Sequence, residues 1–65
     1  MFPNLKAELA RRRMNMKDLS EQTGIPLGGL YARMRGDAEL TFKEAINIRN
    51  TLGVDMTLEE LFATE

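Results

Sequence analysis

The sequence predicts an all-α fold, a compact bundle of five short helices. Apolar residues recur at three- and four-residue spacing, and nowhere do they alternate as a half-buried strand would. Helix starts are also marked repeatedly. Thr41 with Glu44 and Thr57 with Glu60 are full capping boxes, and Asn15 with Asp18 is a variant of the same device. Gly24, Gly36 and Gly53 then follow helical stretches, where a residue that tolerates a left-handed backbone ends a helix without strain.

The first helix is expected from about Leu5 to Arg12, with Asn4 as N-cap and Leu5 and Leu9 on one face. The second follows Asn15, with Met14 placed to staple onto Leu19, and ends at Gly24. The third begins at Pro26, whose missing N–H costs nothing at the first helical position. Leu30 and Met34 make its inner face, and Gly36 closes it. The fourth starts from Thr41 and buries Phe42, Ala45, Ile48 and Leu52 before Gly53. The fifth starts from Thr57, with Met56 stapling on Leu61 and Phe62 next. Links of a few residues suit a compact domain, so residues 1–65 read as a single domain with no linker, repeat or low-complexity stretch.

Composition excludes several classes of chemistry. With no cysteine and no histidine there are no disulfides, thiolates, imidazole bases or usual zinc sites. Glu59 and Glu60 are neighbours on a helix, about 100° apart, and suit its N-terminus better than a catalytic pair. The five methionines read as adaptable core filler. The expectation is a non-enzyme with no cofactor, metal or small-molecule substrate. No apolar run approaches the roughly 20 residues of a membrane span, and "MFPNLKAELARRR" lacks the apolar core of a leader, so a cytoplasmic protein is expected.

Charge is distributed unevenly. Residues 1–36 carry seven basic and three acidic side chains, a balance of +4, whereas residues 37–65 stand at −5. A basic half suits an anionic partner. Part of the split also matches helix dipoles, since Arg11–Arg13 and Arg33 and Arg35 fall near helix C-termini. The Arg11–Arg13 run reads either as a phosphate contact or, more ordinarily, as a solvated helix end.

Residues 16–36, "MKDLSEQTGIPLGGLYARMRG", form two short helices meeting at Gly24. Leu19, Ile25, Leu30 and Met34 supply contacts between them, and Ser20 is small where they approach. This is the specification of a helix-turn-helix whose second helix lies in a DNA major groove. The stretch is similar to the helix-turn-helix of the lambda-repressor/Cro-like family, also called the XRE family, common among phage and mobile-element regulators. "NLKAELARRRMNMKDLSEQTGI" resembles that family's first two helices, and "RMRGDAELTFKEAINIRNTLGVDMTLEELF" its fourth and fifth. The resemblance implies a five-helix DNA-binding transcription regulator of repressor or Cro-like type in a bacterial cell or phage-infected host. It would act by occupying a two-fold operator on double-stranded DNA, usually as a homodimer.

By that resemblance Asn15 and Lys17 hold a phosphate at the start of the second helix. Leu27, Gly28, Tyr31, Ala32 and Arg35 take the groove-facing side of the third. Tyr31 and Ala32 pack on a thymine methyl, or Tyr31 reaches a phosphate through its hydroxyl; Arg35 reads guanine or clamps a phosphate, and Arg33 stays on the DNA backbone. The chain departs from the family pattern at three places. Met16 stands where glutamine is common, Asp37 where many relatives have lysine, and Leu27-Gly28-Gly29 where relatives project polar base-reading side chains. Two readings of the glycines stay open: a backbone that approaches the duplex closely, or a loosened helix that no longer reads bases. The rival function is a protein-interaction module, antirepressor- or antitoxin-like, using Leu27, Tyr31 and the fifth helix as its patch. Leu58, Leu61 and Phe62 either cap the core or form a two-fold dimer contact.

Overall fold

Three helices open on the capping boxes written into the sequence. The Asp18 amide donates to Asn15 Oδ1 (2.8 Å) while the Asn15 amide donates to Asp18 Oδ2 (3.1 Å). Thr41 with Glu44 and Thr57 with Glu60 make the same reciprocal pair of bonds. In the computed structural model, which describes residues 2–64, the elements are α1 (Pro3–Arg11), α2 (Met16–Thr23), α3 (Leu27–Arg35), α4 (Phe42–Leu52) and α5 (Leu58–Leu61). No strand occurs among the described residues.

Helices α2, α3 and α4 end at glycines, and α1 and α5 do not. Gly24, Gly36 and Gly53 stand at φ of 79°, 87° and 67°. At the end of α1 the left-handed position is taken by Arg13, at φ 55°. There the Met14 amide donates to the Leu9 carbonyl (3.0 Å) and the Arg13 amide to Ala10 (3.1 Å). That is the paired bonding of a Schellman end built without glycine.

Two boundaries differ from expectation. Asn4 is not the N-cap of α1: Phe2 is, in a left-handed conformation, and Pro3 fills the first helical position that its fixed φ suits. Asn4 lies inside the helix and donates to the Glu60 carbonyl (2.7 Å), tying α1 to α5. Pro26 caps α3 with extended backbone rather than opening it as its first helical residue.

One apolar cluster runs through the molecule. Leu5 and Leu9 of α1, Leu19 of α2, Ile25 of the turn, Leu30 of α3, Ile48 and Leu52 of α4, and Leu61 of α5 are all buried in it. Full burial of each such side chain contributes roughly 1.5–3 kcal/mol. Helix α2 packs on α3 and α4, and α5 packs on α4 and α1. Leu61 is completely buried, so α5 caps the core. Phe62 adds an edge-to-face contact with Phe2, their ring centroids 5.5 Å apart. Phe42 is the correction in α4: it is 71% exposed, because only Ala45, Ile48 and Leu52 on that face meet the neighbouring helices.

The arginine run is not uniformly solvated either. Arg12 Nη1 meets buried Glu8 Oε1 at 2.6 Å, and its Nε donates to the Leu52 carbonyl at 2.9 Å. Arg12 therefore joins α1 to the end of α4, while Arg11 and Arg13 are exposed.

Candidate nucleic-acid interface

The connection between α2 and α3 is only Gly24, Ile25 and Pro26, and four side chains hold it. Ser20 Oγ donates to the Ile25 carbonyl (2.6 Å) and Thr23 Oγ1 to the Leu19 carbonyl (2.7 Å). Asn47 Nδ2, reaching from α4, donates to the Thr23 carbonyl (2.8 Å). Ile25 is buried in the core. Backbone carbonyls that a tight turn would leave unpaired are thus satisfied by side chains. Asn47 gave no signal in the sequence, since its partner lies 24 residues away.

This turn presents α3 with Leu27, Gly28, Tyr31 and Arg35 exposed along one side, at the spacing of a single helical face. Ala32 is half-buried beside them. The two glycines differ in their surroundings. A Cβ on Gly28 would meet nothing within 4 Å, whereas one on Gly29 would lie 2.8 Å from Arg33 Nη1. Arg33 is folded back along the helix: Nη1 donates to the Gly29 carbonyl (2.9 Å) and Nε pairs with Glu44 (2.9 Å). Its guanidinium is committed inside the molecule and fastens α3 to α4. Glu44 also accepts from the Thr41 amide, and that bond, with Arg33 second, holds its carboxyl below the usual glutamate range.

Arg35 is held more loosely. Its Nε pairs with Asp37 at 2.9 Å, but both side chains are more than half exposed. An exposed pair of this kind contributes about 0–1 kcal/mol, so a phosphate can compete for the guanidinium.

Asn15, Tyr31 and Arg35 line one open groove of about 920 Å³, between the end of α1, the start of α2 and the end of α3. Lys6 joins them there, and Leu9, Met14, Met16 and Met34 give the groove an apolar lining. Lys6 was missed in the sequence because nothing local to α1 says which of its outward cations faces α3. Asn15 Oδ1 is occupied by the cap, so an anion would meet its Nδ2 amide. Lys17 is exposed at the second position of α2 and is not among the groove's lining residues. No three potential metal ligands converge among the described residues. No protein-family model matches the chain, and no curated protein or solved structure does.

Proposed function

We propose that the chain is a DNA-binding regulatory module of helix-turn-helix type, which lays the outward face of α3 in the major groove and acts by occupying its site. One observation carries the reading. Gly28 sits on that exposed face with open space where a side chain would be, so no intramolecular contact requires glycine. A bare stretch of helix lets a duplex come close to the backbone. Arg35 then reads guanine or holds a phosphate, Tyr31 and Ala32 offer apolar contact to a thymine methyl, and Lys6, Lys17 and the Asn15 amide hold phosphates. Arg33 acts as a positioning residue through Glu44, rather than as the DNA-backbone contact that the family resemblance implies.

Salt titration against duplex DNA tests this directly. Three exposed cations, Lys6, Lys17 and Arg35, correspond to a log–log slope of about −3 per copy of the chain. Arg35→Ala should either cost about 1–3 kcal/mol at a preferred sequence or flatten the slope by about 1. Binding that is absent at low salt, or indifferent to salt, defeats the reading. The protein-interaction alternative has one observation in its favour, the apolar lining of the groove beside Tyr31. It predicts that flat outcome.

A further inference from the structure

We propose that the groove between α1, α2 and α3 binds a small amphipathic anion, a carboxylate carrying a medium-length alkyl chain. A duplex meets such a surface with phosphates and base edges, and these give the apolar floor of the groove no role. That floor is the outer layer of the core: Leu9 is only 6% exposed, and Met14, Met16 and Met34 are half-buried against the core cluster. Three of the chain's five methionines therefore meet at one recess. Their unbranched, polarisable side chains repack around apolar shapes of different length. The recess measures about 920 Å³, within the roughly 300–1,000 Å³ of small-ligand pockets.

The polar lining decides the sign of the ligand. Lys6 is exposed and forms no ion pair among the described residues. Arg35 has only its exposed pair with Asp37, the one carboxylate on the lining. Asn15 gives its Oδ1 to the cap and keeps its Nδ2 amide to donate, and Tyr31 brings a hydroxyl to the same lining. Two cations against one acid, with two further donors, fit an anionic head whose chain lies on the methionines. A neutral ligand would leave Lys6 unmatched, and a cationic one would be repelled. Binding itself does not depend on whether α3 reads DNA. Its consequence rests on that reading: the head takes Lys6 and Arg35, the cations given above to phosphates, and the ligand displaces the duplex.

Titration of the full chain with sodium octanoate, followed by amide chemical shifts without DNA, tests the site. Octanoate should saturate with a dissociation constant below about 1 mM, and the shifts should centre on Lys6, Met14, Met16, Tyr31 and Met34. Affinity should rise about two- to fourfold for each methylene added from hexanoate to decanoate, as apolar surface is covered. Acetate, which lacks the chain, and 1-octanol, which lacks the charge, should each bind at least about fivefold more weakly. Lys6→Gln should weaken octanoate about two- to fivefold, with the helical circular-dichroism spectrum unchanged because Lys6 is exposed. Lys43→Gln, a cation of α4 outside the groove, should have no effect. Octanoate that does not saturate, or shifts that centre elsewhere, overturns the proposal. So does a Lys6→Gln variant that binds like the wild type. Octanol binding as tightly as octanoate overturns it too, and makes the groove an apolar docking surface instead. Fluorescence anisotropy of a labelled duplex, with and without octanoate, separates the two readings. Duplex binding without an octanoate site defeats this proposal alone, whereas an octanoate site without duplex binding supports it and defeats the DNA reading.

Discussion

The adjacent glycines of α3 look like one oddity in the sequence and have two different settings in the structure. Gly29 lies under the returning Arg33 side chain, and the carbonyl it offers to Nη1 is part of that arrangement. Gly28 has no such neighbour. Gly28→Ala should therefore stabilise the protein, by up to about 1 kcal/mol from helix propensity, or a rise in melting temperature of about 4–8 °C. Gly29→Ala should gain less, because the new methyl displaces a guanidinium whose other nitrogen is held by Glu44. Thermal denaturation of the two variants checks the order. If Gly28 serves close approach to DNA, its alanine variant should also bind more weakly; unchanged affinity would remove that explanation while leaving the stability result in place. The spacing of Leu27, Gly28, Tyr31 and Arg35 was legible from helical periodicity alone. The commitment of Arg33 was not, because it depends on Glu44, a partner 11 residues away across a loop.

At the scale of the element, helix starts and ends were the most legible features. A capping box is local chemistry, complete within four residues, and all three formed. Errors arose where tertiary context decides. Asn4 is a good cap by type, but Pro3 moves the helix start two residues earlier, and the Asn4 carboxamide finds α5 instead. The three- and four-residue pattern of α4 identified its inner face correctly, yet periodicity does not say how far the neighbouring helices extend along it. Phe42 lies beyond them. The boxes also make α4 and α5 sensitive to acid. Glu44 titrates below its ordinary value of 4.5, chiefly through the Thr41 amide and then Arg33, so its bonds favour the folded state when ionised. That contribution is complete above the unfolded value and is lost as pH falls through the lower folded value. Glu60 follows the same direction through the Thr57 amide. Melting temperatures taken between pH 7 and about pH 3 should therefore decline on the acid side, and Glu44→Gln should reduce that decline. An identical acid response in the variant would show that Glu44 is not responsible.

Across the whole molecule, a chain of 65 residues buries a small core and depends on ties between its helices. Arg12 is the clearest of them. It connects Glu8, only 7% exposed, to the carbonyl that ends α4, whereas its neighbour Arg11 is 73% exposed and reaches Glu8 at 3.6 Å. The two arginines look equivalent in the sequence, and a solvated basic run would make them so. The structure predicts a separation. Arg12→Ala leaves a buried carboxylate with a weaker partner and the Leu52 carbonyl without its donor, which should cost about 2 kcal/mol. Arg11→Ala removes the same charge from an exposed site and should cost less than about 1 kcal/mol. Urea denaturation of both variants distinguishes these outcomes, and the comparison controls for net charge because each loses one positive unit. Salt-titrated DNA binding of the same pair then isolates the electrostatic part. If the run contacts phosphate, Arg11→Ala should flatten the slope with the fold undisturbed. If both variants lose stability equally, Arg12 is not the bolt between α1 and α4 that its geometry describes.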